Sequence, residues 1–220
     1  MLPPSAKLYD VGDDRYAHAL TTSRLRLVPA TPALVDMELA HQDRLAEELD
    51  VDLPSDWPPA YHDPDRLDFT RKALEAPDAV GWWLHYIVLT DVTRPTLVGV
   101  AGYKGPPADG VVEIGYSIVA SWQRRGLATE ACRALIEAAW QRGAKVILAH
   151  TLPHLQPSIG VLRKLEFVPS QPQEPSVLAF ALHRANRGAL HTQLHTDAPR
   201  SSDDRSGRRC PPPDTPGFGR

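Results

Sequence analysis

The residues with the clearest chemical potential lie in one stretch at 121–130, Ser-Trp-Gln-Arg-Arg-Gly-Leu-Ala-Thr-Glu. This stretch follows an apolar, strand-like run at 111–119 and opens a strongly helical run at 127–142. A glycine with basic neighbours at a helix start leaves backbone N–H groups unpaired, and the helix dipole adds positive potential there. The stretch therefore predicts a phosphate-binding loop. The glycine patterns of dinucleotide-binding and P-loop proteins are absent from the sequence.

Composition narrows the class of protein. The 220 residues suit one domain with a tail and are enough to bury a core. The net charge of −3 and the isoelectric point near 6.3 give no signature of nucleic-acid binding, so we expect no nucleic-acid partner. Two cysteines, Cys132 and Cys210, are too few for a disulfide framework and favour a reducing compartment. Without a long apolar run or a signal-peptide pattern, we expect a cytoplasmic protein with no membrane partner.

Residue patterns predict an α+β domain at 21–184. The predicted strands are 24–28, 82–90, 96–103, 111–119, 146–152 and 177–183. The predicted helices are one or two short helices within 34–49, then 65–75, 127–142 and 158–164. Thr31 and Pro32 predict a helix N-cap followed by a first-position proline. Residues 50–64 are dense in Pro and Asp and are predicted to be a loop.

Both ends of the chain differ from this domain in composition. Residues 1–20 are mixed and carry two early prolines, so we expect a loosely ordered lead-in. Residues 185–220 contain no Val or Ile and many Ser, Asp, Arg, Pro and Gly. Such a composition cannot bury enough apolar surface to offset the entropy of ordering, and we expect this tail to be disordered.

The segment at 123–128, Gln-Arg-Arg-Gly-Leu-Ala, resembles the Q/R-x-x-G-x-A/G signature of the GNAT superfamily of acetyl-CoA-dependent N-acetyltransferases. Four further segments are similar to its RimJ/RimL-like branch: 22–27, 99–102, 112–116 and 151–167. The resemblance extends over residues 23–167. It implies the GNAT fold, a mixed and mostly antiparallel central sheet flanked by helices.

Two positions depart from the pattern of that branch. Leu155 stands where members usually have Asn, and Glu166 stands where they usually have Gly. Glycine takes the left-handed conformation without strain, whereas other residues pay about 1 kcal/mol. Glu166 therefore predicts altered backbone geometry after the helix at 158–164.

The resemblance implies an acetyl-CoA site without a metal. The residues implied at the coenzyme pyrophosphate are Gln123, Arg124, Arg125, Gly126, Leu127, Ala128 and Thr129. A backbone N–H near Ile118 or Val119 is implied at the thioester oxygen. Ser158 is implied on the thiolate side, although a polar residue in a first helical turn is the alternative interpretation. His150 and His154 are four residues apart on a strand rather than a helix, and they predict no metal site.

The resemblance also directs attention to Glu113. Along the strand at 111–119, alternate residues face the core, while Glu113 points the other way with Gly115 and Ser117. Some GNAT enzymes carry a strand Glu here as general base, so we hypothesise this role for Glu113. The alternative is a solvated or salt-bridged strand residue. The general acid stays unassigned, because Leu162 stands where many members have Tyr.

The acceptor side is less determined by sequence. Trp82, Trp83 and Tyr86 suit the sheet core better than a pocket wall. The loop at 57–63 lies where GNAT proteins recognise the acceptor. We expect an N-acetyltransferase, monomer or homodimer, that acts on a protein N-terminus or a small-molecule amine. The alternative is a coenzyme-binding or regulatory module with little turnover, which Leu155, Leu162 and Glu166 favour slightly.

Overall fold

The structure is a computed structural model that describes residues 18–172 and 174–184. The predictions for most of the lead-in and for the tail at 185–220, Cys210 included, lie outside the described residues. The strands are β1 (Leu20–Thr21), β2 (Leu25–Pro29), β3 (Leu84–Leu89), β4 (Thr96–Tyr103), β5 (Val111–Ile118), β6 (Val146–Thr151), β7 (Val168–Ser170) and β8 (Leu178–His183). The helices are α1 (Pro32–Ala40), α2 (Gln42–Leu49), α3 (Pro64–Ala73), α4 (Leu127–Gln141) and α5 (Gln156–Lys164).

The strands form one mixed sheet in the order β1-β2-β3-β4-β5-β6-β8-β7. Every neighbouring pair is antiparallel except β5 and β6, which are parallel and joined through α4. The predicted α+β class and the antiparallel arrangement of β3, β4 and β5 are confirmed. The short strands β1 and β7 were not predicted, because two or three residues carry too little alternation to be recognised.

Helices cover both faces of the sheet. One face packs on α4 and α5, with Ile87, Ile114, Leu135, Ile147 and Leu162 in that core. The opposite face packs on α1, α2 and α3. Tyr86 is fully buried and Trp82 nearly so, which confirms their core interpretation, whereas Trp83 is only partly buried.

Side-chain caps begin α1 and α3, and the second of these caps lies at the end of the loop at 50–63. Thr31 Oγ1 accepts a hydrogen bond from the Leu34 N–H at 3.3 Å and begins α1, as predicted. Asp63 does the same for the Arg66 N–H at 2.9 Å and begins α3 with Pro64 in its first turn. A side-chain N-cap of this kind contributes about 1 kcal/mol. The loop is therefore held at the helix that follows it.

The prediction of altered geometry at Glu166 is wrong. Glu166 adopts the left-handed conformation itself, with φ at 65°. Its N–H donates to the Arg163 carbonyl at 3.0 Å, and the Phe167 N–H donates to that of Leu162. The helix-ending geometry is thus kept, at a cost of about 1–2 kcal/mol relative to glycine.

Strands β5 and β6 separate along their length. Their last pairing is Ile114 with Ala149, but β5 continues to Ile118 and β6 to Thr151. The two strands therefore leave a gap in the sheet at the end where β5 leads to α4 and β6 leads to α5. Crevices of this kind, at the carboxyl ends of parallel strands, are preferred ligand positions.

Candidate active site

The predicted phosphate loop forms an open helix start. Gly126 is the N-cap residue of α4, with φ at 80°, and no side chain caps the helix. The first backbone bond into the helix runs from the Glu130 N–H to the Gly126 carbonyl, so the N–H groups of 127–129 have no intrahelical acceptor. Arg124 beside them makes no hydrogen bond or ion pair within the described residues. These groups together can bind an anion.

Other residues of this loop bind the protein itself. Gln123 Nε2 donates to the Ile118 carbonyl at 2.9 Å, which ties the loop to the end of β5. The Arg125 guanidinium stacks on the Trp122 ring at 4.3 Å and donates to the Ser121 carbonyl. These contacts position the loop, and the implied contact of both side chains with the coenzyme stays a prediction.

Two acidic residues brace the loop from outside. Asp56 accepts hydrogen bonds from the Ser121 N–H at 2.8 Å and its hydroxyl at 2.9 Å, and the backbone bond above all lowers the pKa of Asp56. Glu130 in α4 pairs with Arg24 at 2.6 Å. Burial raises the pKa of Glu130, but hydrogen bonds from Thr22 and Arg24 outweigh it and lower that pKa.

The sheet register decides between the two predicted oxyanion donors. The Val119 N–H donates to the Val98 carbonyl at 3.0 Å and is not available to a ligand. The neighbouring pair along the two strands is Ile118 with Gly99. In an antiparallel ladder, hydrogen-bonded pairs alternate with pairs whose N–H groups point away from each other, and Ile118 belongs to a pair of the second kind. The Ile118 N–H therefore points to the β6 side, where β5 has already separated from β6.

Tyr116 and Ser158 form a contact across the gap. The Tyr116 hydroxyl lies 3.0 Å from Ser158 Oγ and 3.1 Å from the Ser158 carbonyl. Burial is the main cause that raises the pKa of Tyr116, with the bond to Ser158 opposing it, so the hydroxyl stays protonated at neutral pH. Sequence reasoning placed Tyr116 in the core and missed this contact. Its polar hydroxyl on a core face was the available signal.

Glu113 is partly buried and ion-paired. Its Oε1 contacts Lys104 Nζ and lies 2.9 Å from His150 Nδ1. Lys104 is its neighbour across β4 and β5, and His150 belongs to β6. The sequence interpretation named neither partner, because both lie on other strands. The contacts match the salt-bridged alternative and also place an imidazole beside the predicted base.

A cleft of about 720 Å³ opens on the face of the sheet that carries α3. The 57–63 loop, α3 and strands β3 to β5 all line it, and its lining includes Tyr61, Phe69, Trp83, Lys104, Gly115, Tyr116 and Ser117. Tyr61 and Phe69 are 55% and 61% exposed, and Phe69 meets the Trp83 ring edge-on at 5.7 Å. Exposed aromatic side chains around a cleft are typical of a ligand-binding site.

A buried polar network holds the 57–63 loop against the sheet. The Glu38 carboxylate accepts from Trp57 Nε1 at 3.2 Å and from the Tyr86 hydroxyl at 2.8 Å, and it pairs with His62 Nε2 at 2.8 Å. All four side chains are nearly inaccessible to solvent. Tyr61 and Asp63, on either side of His62, line the cleft, so the network fixes that wall.

Among the described residues, no helix has the length and apolar character needed to cross a bilayer. In the same residues, no group of three or more His, Cys, Asp or Glu side chains could hold a metal ion. The cytoplasmic location stays a prediction.

Known proteins provide the remaining evidence. Among curated proteins, none matches the sequence significantly. A structure of a ribosomal-protein-serine acetyltransferase candidate from Vibrio cholerae is 21% identical, with a TM-score of 0.53, over 75% of this chain and 97% of that one. An acetyltransferase from Agrobacterium tumefaciens str. C58 is 18% identical, with a TM-score of 0.51, over 76% and 94%. A GCN5-related N-acetyltransferase from Brucella melitensis is 15% identical, with a TM-score of 0.52, over 90% and 91%.

At these identities the structural likeness shows a shared fold and does not transfer a substrate. The match to a family is direct evidence from sequence. Residues 24–168 match the family model described as Acetyltransferase (GNAT) domain. Because this match spans well over half of the 220 residues, the chain belongs to the GNAT family of acetyltransferases, which use acetyl-CoA.

Proposed function

We propose that the protein transfers the acetyl group of acetyl-CoA to a primary amine by direct attack of the amine on the thioester. The observation that carries this proposal is the gap between β5 and β6. The open start of α4, the Tyr116–Ser158 contact and the cleft beside Glu113 all lie around it. A donor thioester and an acceptor amine can therefore meet there from two sides.

On the donor side, Arg124 and the N–H groups of Leu127, Ala128 and Thr129 bind the pyrophosphate of coenzyme A. Gly126 allows the turn that exposes these N–H groups, and Gln123 and Arg125 hold the loop in place. The Ile118 N–H, rather than that of Val119, stabilises the charge that develops on the thioester oxygen. The coenzyme supplies the acetyl group, and these residues supply its binding and orientation.

On the acceptor side, the amine must lose a proton as its nitrogen bonds the acetyl carbon. The group of side chains that takes up this proton is Glu113 with its partners Lys104 and His150. The C–S bond breaks, and the leaving thiolate takes up a proton. We place Ser158 on the thiolate side, where its hydroxyl is bonded to that of Tyr116. Protonation of the thiolate is therefore supported by a hydrogen-bonded pair of hydroxyls.

The acceptor is a protein N-terminus or a small-molecule amine. The resemblance to the RimJ/RimL-like branch favours the first, and the name of the Vibrio cholerae neighbour, a ribosomal-protein-serine acetyltransferase, favours a protein acceptor. An open cleft of about 720 Å³ with exposed Tyr61 and Phe69 suits an acceptor that covers apolar surface next to its amine. Monomeric and homodimeric states are both compatible with these features.

A coenzyme-binding module with little turnover is the second candidate. Leu162 favours it, because this residue is 1% exposed in the core and cannot act as an acid. The test is thermal stabilisation of the full chain by acetyl-CoA, followed by thiol release with a panel of primary amines. Stabilisation with release supports the transferase, and stabilisation without release on any amine supports the module. An unchanged melting temperature would refute both candidates.

Arg124→Ala provides the matched variant for the donor site. It should weaken acetyl-CoA binding, because a charge-assisted hydrogen bond to phosphate contributes roughly 1.5–3 kcal/mol. Arg163→Ala, on exposed surface in α5, is the control and should bind as the unmodified protein does. Equal affinities for both variants would exclude the Arg124 contact.

A further inference from the structure

Three polar side chains from neighbouring parts of the sheet form a row, and the first of them lines the cleft: Lys104, Glu113 and His150. Glu113 Oε1 contacts Lys104 Nζ and is 2.9 Å from His150 Nδ1. A carboxylate oxygen accepts hydrogen bonds, so Nδ1 carries the hydrogen of this pair. The other ring nitrogen of His150, Nε2, makes no hydrogen bond or ion pair within residues 18–172 and 174–184. When the imidazole is neutral, Glu113 thus selects the tautomer whose Nε2 has a free lone pair.

His150 lies at the point where the sheet opens. It follows Ala149, the last β6 residue that pairs with β5. The next position along β5 on the same face as Glu113 is Gly115, which lines the cleft, and a Cβ atom there would meet nothing within 4 Å. Open space therefore lies over β5 beside the imidazole. An amine that enters the cleft above Gly115 comes close to His150.

Glu113 is poorly suited to take the proton alone. Its Oε1 already accepts from a Lys ammonium and an imidazole N–H, so only Oε2 is left for an incoming amine. As a class, imidazoles have pKa values closer to neutral pH than carboxylates do. Bases with pKa values near the working pH are the more effective catalysts.

We propose that His150 Nε2 is the atom that accepts the amine proton, and that Glu113 is its positioning residue. This inference rests on the proposed function. As the amine nitrogen bonds the acetyl carbon and the C–S bond breaks, one proton passes from the nitrogen to Nε2. The resulting imidazolium is stabilised by Glu113 and returns its proton to solvent. These are the roles of a carboxylate–imidazole pair, in which the carboxylate orients the imidazole and the imidazole takes up the proton.

The test is the pH dependence of kcat/KM for the full chain with a primary amine that supports turnover. The other charged groups around this site are Lys104, which contacts Glu113, and the cleft-lining residues Asp63, Asp65 and Arg66. On β8, the residue paired with His150 is the uncharged Ala179. All of these stay in place in every variant, so a displaced profile is assigned to the residue that was changed.

His150→Gln should lower kcat/KM at neutral pH by roughly 10²–10⁴-fold and remove the acidic limb of the profile. Glu113→Gln should keep that limb but move it by about one pH unit to lower pH, because loss of a neighbouring negative charge disfavours the imidazolium. His154→Gln is the matched control, since His154 is exposed beyond the end of β6, and its profile should be unchanged. Added imidazole should restore part of the activity of His150→Ala.

Calorimetric affinity for acetyl-CoA checks the fold of each variant and should be unchanged. An acidic limb that persists in His150→Gln and disappears in Glu113→Gln would assign the proton transfer to Glu113 and overturn the inference. A lower rate in His150→Gln with the same limb, or with lost acetyl-CoA affinity, would show a structural role and overturn it too. Absence of turnover by the unmodified protein on every amine would instead refute the proposed function, and the inference with it.

Discussion

Tyr86→Phe tests the buried network that fixes the acceptor side of the cleft. The substitution keeps the ring, which is fully buried in β3, and removes only the hydroxyl that donates to Glu38 Oε2 at 2.8 Å. Removing every partner of a buried charge costs about 3–5 kcal/mol. Here Trp57 and His62 still contact Oε1, so the expected loss is that of one hydrogen bond to a charged group, about 1.5–3 kcal/mol.

The pH dependence of this loss has a defined sign. Burial first, and then the charge and hydrogen bond of Glu38, raise the pKa of Tyr86 well above its ordinary value of 10. The stabilisation by a neutral Tyr86 is complete below pH 10 and declines above it, because the unfolded chain ionises there while the folded chain does not. The free-energy difference between the two proteins should therefore shrink at alkaline pH.

Urea denaturation at pH 7 and above pH 10 provides the measurement, with Tyr61→Phe as the control because Tyr61 is 55% exposed. For a domain of this size the expected loss lowers the melting temperature by roughly 3–12 °C. The KM for the acceptor should rise as well, since the same network holds the loop that lines the cleft. A loss no larger than that of Tyr61→Phe would refute the idea that the network stabilises the fold.

Three further predictions concern other parts of the molecule. Burial lowers the pKa of His85 to about 4, against a weaker opposing bond to Trp83. The contribution of the neutral imidazole to the free energy of unfolding, on the order of 3 kcal/mol, is therefore complete above pH 6.5 and is lost as the pH falls toward 4. In urea denaturation, the stability of His85→Asn should depend less on pH than that of the unmodified protein. Gly126→Ala and Gly143→Ala should each lose about 1–2 kcal/mol of stability because both glycines have positive φ, but only the first should bind acetyl-CoA more weakly in calorimetry. Tyr116→Phe should lower kcat with little change in acetyl-CoA affinity, which steady-state kinetics and binding assays would show. A lower affinity with an unchanged kcat would contradict the proposed place of Tyr116 beside the thiolate.

Features with local causes were predictable from the sequence. The N-cap at Thr31, the loop at 121–130 and the alternation of β5 each depend on residues that are close together in the chain. Their signals are turn chemistry, side-chain capping and the period of two or 3.6 residues. The donor side of the candidate site is built mostly from such a local stretch, which is why the sequence alone could indicate it.

The contacts that assign chemistry are not local. Tyr116 and Ser158 are 42 positions apart, and Glu38 and Tyr86 are 48 apart. In both pairs one member lies at a position that the hydrophobic pattern assigns to the core, so its polar group has no visible partner in the sequence. Whether β6 brings His150 beside Glu113 depends on strand order and register, which periodicity does not specify.

The departures from the family pattern acquire a physical meaning once these contacts are known. Leu155 is the N-cap position of α5 and gives it no side-chain bond, while Leu162 fills the core below the same helix. A hydroxyl near the start of α5 is nevertheless present, because Tyr116 reaches across the gap from β5 to Ser158. This hydroxyl therefore belongs to β5 and not to α5, but it lies beside α5. Coenzyme binding without turnover requires neither the protonated Tyr116 hydroxyl nor the oriented His150 imidazole. The presence of both groups therefore favours the transferase over the binding module.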